Sequence, residues 1–115
     1  ARGFVIASAL AARTDKNIVM VRKSGKLPPP VVSRDYDLEY GSAKIEMKPC
    51  VDKNHNKIII VDDVIATGGS MAAAAELCTD AGYAVTGFAC LIDLKFLNNF
   101  EWNGLKVLSV IQYHD

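Results

Sequence analysis

Asp62 and Asp63 stand side by side after the apolar run 58–61, and Ala66, Thr67, Gly68, Gly69 and Ser70 follow once Val64 and Ile65 have intervened. Two carboxylates about 4 Å apart repel by about 4 kcal/mol at an effective dielectric of about 20, so such a pair calls for donors or a cation. The hydroxyls of a vicinal diol are donors, and each hydrogen bond to a charged group is worth about 1.5–3 kcal/mol, enough to offset the repulsion. The glycine turn carries complementary chemistry. Backbone N–H groups of Gly68, Gly69 and Ser70 at a helix start would donate to a phosphate, the glycines let it approach closely, and Thr67 and Ser70 add hydroxyl donors. A diol beside a phosphate describes a ribose 5-phosphate. A plain helix-entry turn capped by Ser70 needs one acidic or hydroxyl residue and explains neither the carboxylate pair nor both glycines. The run lacks the Gly-Lys-Ser/Thr of a P-loop and the GxGxxG of a dinucleotide site. A phosphoacceptor receiver domain pairs acidic residues too, but without Thr-Gly-Gly-Ser immediately after them.

The apolar spacing shows which elements hold these residues. Residues 58–61 read as a buried strand running directly into the carboxylates, and open α/β sheets bind ligands at the carboxyl ends of their strands. The turn then opens an Ala-rich helix over 71–81 with Gly82 as its carboxyl cap, and strands follow over 84–92 and 105–111. Upstream, Val5, Ile6, Ala9, Leu10 and Ala12 predict a helix over 5–13, and the apolar run in 17–22 predicts a strand over 18–21 covered on both faces. Lys23, Ser24, Gly25 and Lys26, followed by Pro28, Pro29 and Pro30, form an extended loop leaving the core. An extended arm over 31–38, a break at Gly41 and Ser42, and Ala43, Ile45 and Met47 alternating with Lys44, Glu46 and Lys48 predict an antiparallel flap over about 28–48. Glu46 falls on its solvated face. Strands alternating with helices make the fold α/β, with a mainly parallel sheet flanked by helices, in one domain over 1–115.

Composition removes several classes of function. Thirteen basic residues balance thirteen acidic ones, leaving no basic field to hold a nucleic-acid backbone. No apolar run approaches the roughly 18 residues of a membrane span, so a soluble protein is expected. Cys50, Cys78 and Cys90 are odd in number and lack CxxC spacing, which signals neither a disulfide framework nor a zinc site and suits a reducing, intracellular setting. Cys78 and Cys90 read as small buried apolar residues. His55, in a polar turn, and His114, next to last, read as surface residues, and Trp102 reads as packing. Taken alone, Lys23 and Lys26 read as a solvated loop, and Glu39 and Tyr40 as exposed flap residues.

The strand, Asp62-Asp63, and Ala66-Thr67-Gly68-Gly69-Ser70 together resemble the phosphoribosyl pyrophosphate (PRPP) signature of the type I phosphoribosyltransferases. Arg2-Gly3-Phe4, the run 22–28 and Leu38-Glu39-Tyr40-Gly41 resemble, in order and spacing, segments of the adenine phosphoribosyltransferase family, and the similarity extends to about Tyr113. The resemblance implies a Rossmann-like core and a purine-salvage reaction in which adenine and PRPP give AMP and diphosphate. It implies Asp62 and Asp63 on the ribose hydroxyls, Ala66, Thr67, Gly68, Gly69 and Ser70 around the 5-phosphate, and Arg2, Lys23 and Lys26 at the diphosphate. Arg2 would lie in a pyrophosphate loop, Val64 beside the base, Glu39 at a purine ring proton and Tyr40 in a lid over the diphosphate. Magnesium (Mg2+) is expected to travel with PRPP without a direct protein ligand, and a cytoplasmic homodimer is implied, with no nucleic-acid or membrane partner.

The sequence opens at Ala1 without an initiator methionine, and the family's amino-terminal part, with its hood over the purine and the strand leading to Arg2, is expected to be missing. Adenine selectivity then rests on the flap and the loop 23–28, and the 115 residues are not expected to fold stably as an isolated monomer. Two alternatives remain: a transferase for hypoxanthine, guanine or xanthine, and a regulator that keeps the phosphoribosyl site without turnover. Against the second stand Glu39, Tyr40 and the want of a basic surface.

Overall fold

The computed structural model describes residues 2–38 and 41–115. In chain order the elements are α1 (Arg2–Thr14), β1 (Arg22–Lys23), β2 (Val32–Leu38), β3 (Gly41–Met47), a 3-10 turn (Lys53–His55), β4 (Lys57–Ile65), α2 (Gly69–Asp80), β5 (Ala84–Leu94), a second 3-10 turn (Lys95–Leu97) and β6 (Val107–Tyr113). Two compact units emerge, one from residues 1–18, 59–68 and 86–115, the other from 19–58 and 69–85.

In the first unit the sheet has the order β4-β5-β6, with β5 and β6 parallel in a register that pairs Phe88 with Val107 and Leu94 with Tyr113. Ile65, Phe88, Cys90 and Val107 are buried there. Phe100 and Trp102 both meet Phe88 edge-on, at centroid distances of 5.0 and 6.0 Å, so the half-buried Trp102 serves packing as expected. Asn103 and Gly104, both at positive φ, form a two-residue reversal in which Trp102 and Leu105 exchange backbone hydrogen bonds of 2.9 Å. This reversal takes Leu105 as its closing residue and defers the last strand to Val107, two residues later than the sequence pattern suggests.

The second unit joins α2 to the antiparallel sheet β1-β3-β2. The β2–β3 hairpin runs in register from Val32 opposite Met47 to Leu38 opposite Gly41, which is the flap read from the sequence. β3 is the central strand, and β1 adds two pairs, Arg22 opposite Glu46 and Lys23 opposite Ile45. Ile45, Met47, Met71, Ala73, Ala75, Leu77 and Cys78 form its apolar interior. The small buried side chains of Ala73 and Ala75 let α2 lie close to the sheet, and Arg34 on β2 reaches both Glu76 (2.7 Å) and Asp80 (2.9 Å) on the helix. α2 ends at Asp80, and Gly82 caps it as expected, its φ of +98° permitting the Tyr83 amide to reach back to the Cys78 carbonyl at 2.9 Å. A side chain at Gly82 would also collide with the Lys53 ammonium.

Three sequence expectations fail here. Residues 58–61 form part of β4 but are not buried, Ile59 being 56% exposed, because among the described residues β4 is an edge strand of its sheet. Residues 18–21 do not form a strand, and Ile18, Val19 and Val21 are exposed. An apolar run becomes a strand only where a neighbour takes up its N–H and C=O groups, and among the described residues none pairs with this run. β4 also continues through Asp62 and Asp63 to Ile65, because β5 pairs with it and the β-branched Val64 and Ile65 suit extended backbone.

Candidate functional site

The acidic pair therefore lies within the last half of β4 and not beyond its end. Asp62 accepts the amide of Asp63 on Oδ1 at 2.8 Å, and Asp63 accepts the amide of Val64 on its own Oδ1 at 2.8 Å. Burial, and after it the neighbouring Asp63 carboxyl, push the Asp62 carboxyl above its ordinary range, while the Asp63 amide pulls in the opposite direction. Gly3 of α1 lies directly against Asp62: a β-carbon there would stand 2.7 Å from Asp62 Oδ1, so the third residue of the chain is held to glycine by close approach. Val64 is half-buried.

After Ile65 the chain turns through Ala66, Thr67 and Gly68, and α2 begins at Gly69. Ala66, Thr67, Gly69 and Ser70 are exposed, so the turn and the first helical residues meet solvent. Gly68 has φ +93°, and a β-carbon on it would lie 2.6 Å from Phe100 Cδ1, which excludes a side chain for two separate reasons. The amide groups that open a helix lack intrahelical partners, and that shortage lets such a turn hold an anion.

Sequence reasoning missed the residues that hold this turn in place. Asn98 donates through Nδ2 to the Ala66 carbonyl at 2.7 Å, to Asp93 Oδ1 at 3.0 Å and to the Leu94 carbonyl at 3.0 Å, and its Oδ1 accepts the Phe100 amide at 3.0 Å. Asp93, at the end of β5, is fully buried and pairs with Lys95 at 3.0 Å. The only signal available was an amide and an acid at the end of a predicted strand.

In the second unit, Lys23 closes β1 and Lys26 lies in the following turn, and both are exposed. Gly25 takes φ +90° there. Glu46, expected on a solvated face, is instead 5% exposed. Its Oε1 accepts the Lys26 amide at 3.0 Å and the Leu27 amide at 2.9 Å, and the Leu27 bond does most to hold its carboxyl below the ordinary range. Alternation on the strand was read correctly; what lies over its polar face could not be read, because the covering loop is some twenty residues away in sequence.

Arg2 opens α1 in place of the expected loop. Its side chain, and the whole of Glu39 and Tyr40, lie outside the described residues. His55 is exposed and pairs with Asp52 at 2.7 Å, and His114 is exposed, as expected of surface residues. All three cysteines are buried, with the Cys78 thiol pushed up to about 11 by burial. Among the described residues no helix is long and apolar enough to cross a membrane, and no cluster of three or more His, Cys, Asp or Glu could hold a metal ion.

Residues 1–96 match the phosphoribosyl transferase domain family. An adenine phosphoribosyltransferase of Hydrogenovibrio crunogenus is 57% identical over 114 residues, which cover 99% of this chain and 64% of that protein. A crystal structure of the adenine phosphoribosyltransferase of Rhodothermus marinus superposes with TM-score 0.80 at 38% identity, over 98% of this chain and 65% of the other. The Saccharomyces cerevisiae enzyme, solved in complex with adenine and an imino-altritol bisphosphate, matches with TM-score 0.79 at 35% identity, over 96% of this chain and 62% of the other. The chain thus spans a little under two thirds of these relatives' length. With its paired carboxylates on β4 and its glycine turn opening α2, and with the family model matching residues 1–96, the chain belongs to the phosphoribosyl transferase domain family.

Proposed function

We propose that the protein transfers the 5-phosphoribosyl group of PRPP to adenine, giving AMP and diphosphate. One observation supports this reading most: the acidic pair of β4 leads within two residues to an exposed turn whose Gly68 cannot carry a side chain, at the start of α2. Asp62 and Asp63 are the ribose-binding residues, accepting hydrogen bonds from the two ring hydroxyls, each bond to a charged group being worth about 1.5–3 kcal/mol. Ala66, Thr67, Gly68, Gly69 and Ser70 take the 5-phosphate on backbone N–H groups and the two hydroxyls, and Val64 lies near the base.

In the reaction a purine ring nitrogen forms its bond to the anomeric carbon, and the bond from that carbon to the diphosphate oxygen breaks, the electron pair leaving with diphosphate. Positive charge develops on the ribose and negative charge on the leaving group. Arg2, Lys23 and Lys26 stabilise the departing diphosphate, preorganised charge being the most effective help for such a step. Glu39 takes the ring proton released as nitrogen attacks, and Tyr40 covers the diphosphate. Magnesium belongs to the substrate: a divalent ion that keeps several waters and binds phosphate oxygens would travel with PRPP without a direct protein ligand. The family resemblance also supports a cytoplasmic homodimer.

The test is a comparison of bases in the full-length protein with Mg2+ and PRPP. Adenine is expected to give AMP and diphosphate in equal amounts at a kcat/KM at least about 100-fold above hypoxanthine, guanine and xanthine, a ratio that hydrogen-bonded recognition readily reaches. A preference for another base would overturn the adenine assignment. PRPP binding without turnover of any base would mark a regulator.

A further inference from the structure

Three alternate residues of β3 and its continuation meet the loop that follows β1. The Lys44 carbonyl accepts the Ser24 amide at 3.0 Å, Glu46 Oε1 accepts the amides of Lys26 and Leu27 at 3.0 and 2.9 Å, and Lys48 Nζ donates to the Pro28 carbonyl at 2.7 Å. One backbone carbonyl and the side chains of Glu46 and Lys48 thus form a cradle for residues 24–28. Glu46 is its central contact and its buried charge.

A carboxylate is a costly way to fasten a surface loop. Removing it from water is unfavourable unless donors replace the lost hydration, and a serine or asparagine could tie one amide without that cost. A carboxylate is suited to a place where two successive amides must be held together, since charge-assisted bonds are about twice as strong as neutral ones. With both amides turned inward to one oxygen, the backbone at Lys26 is restrained, and its exposed side chain projects from a tethered base. Gly25, at φ +90° and with nothing within 4 Å of where a β-carbon would stand, supplies the reversal that makes this possible.

We infer that Glu46 is a positioning residue for the diphosphate subsite: by holding the Lys26 and Leu27 amides it fixes the loop from which Lys23 and Lys26 meet the diphosphate, and it sets the affinity for PRPP without touching the base. This rests on the assignment of Lys23 and Lys26 to the diphosphate. Glu46 touches no substrate and acts only through the loop.

The experiment combines steady-state kinetics with amide hydrogen exchange on the full-length protein carrying Glu46→Leu, Glu46→Asp or Glu46→Gln, with Lys26→Ala as a reference. Glu46→Leu removes the acceptor, Glu46→Asp keeps charge but withdraws it by one methylene, and Glu46→Gln keeps a neutral acceptor in place. Both Leu and Asp variants are expected to raise KM for PRPP by about tenfold or more, the worth of one lost charge-assisted bond, with KM for adenine changed less than about twofold. Their amides at 26 and 27 should exchange about tenfold faster, and Glu46→Gln should recover most of both effects. Should Glu46→Leu fail to fold, the Asp and Gln variants carry the same comparison. Equal rises in both KM values would mean a merely structural residue and overturn the inference. Faster exchange with unchanged KM for PRPP would also overturn it, and Lys26→Ala tells the two failures apart. If Lys26→Ala raises KM for PRPP, the diphosphate assignment stands and only the positioning role falls; if it does not, the assignment itself has failed.

Discussion

The Asn98 side-chain amide donates a 2.7 Å hydrogen bond to the carbonyl of Ala66, so the residue that follows the second 3-10 turn fastens the first residue of the glycine turn. The same nitrogen serves Asp93 Oδ1, a fully buried carboxylate. Asn98→Ala therefore removes one tie and strips a buried acceptor of a donor, with an expected cost of about 1–3 kcal/mol in urea denaturation. Asn98→Asp should cost more, since it sets a second carboxylate against Asp93. A loss below about 0.5 kcal/mol for both would show that the network carries no weight.

Gly68→Ala tests the turn itself. The residue would have to keep φ +93° and place a methyl group 2.6 Å from Phe100 Cδ1. The left-handed backbone alone costs about 1–2 kcal/mol, and PRPP affinity should fall along with stability. Adding Phe100→Leu should relieve the collision but not the backbone strain. Full recovery in the double variant, read by calorimetry of PRPP binding, would contradict the backbone argument.

Asp62 makes stability depend on pH. Its folded carboxyl is raised, so the folded state favours the protonated form: that contribution is complete below the ordinary carboxylate range, about pH 4, and is lost as pH rises through the folded value. Asp62→Asn should then raise the Tm of the ligand-free protein at pH 7, while the gain shrinks towards zero near pH 4. The same variant should lose PRPP binding. A Tm gain that is independent of pH would point to a cause other than charge.

Arg34 bridges Glu76 and Asp80 at half-exposed positions, where each ion pair is worth about 0.2–1 kcal/mol. Arg34→Ala should cost no more than the sum of two such pairs. Most of the difference should vanish at 1 M salt, where the screening length is about 3 Å. A larger, salt-insensitive loss would assign Arg34 a packing role through its aliphatic stem.

The parts legible in the sequence were those fixed by local rules. The Gly82 cap, the Ala-rich helix and the alternation of the flap follow from neighbours within a few residues, and each stands where expected within about two residues. The parts that were not legible depend on distant partners. Whether Asp62 and Asp63 end a strand or continue it is decided by β5, and the apolar run 18–21 could become a strand only with a partner beside it. Glu46 looked solvent-facing because period two assigns a face but not what covers it. Asn98 and Phe100 matter only because the chain returns to the glycine turn some thirty residues later.

β3 carries its apolar side chains to α2 and Glu46 to the loop 24–28, with β1 and β2 on either edge. Its parity is therefore committed twice. A single residue inserted after Ala43 would turn Ile45 and Met47 outward and bring charged side chains against α2, undoing interior and cradle in one event. Substitutions along β3 can be graded, but a change of length cannot. Among natural variants of this chain, insertions and deletions should spare the stretch from Ala43 to Met47 even where its amino acids differ.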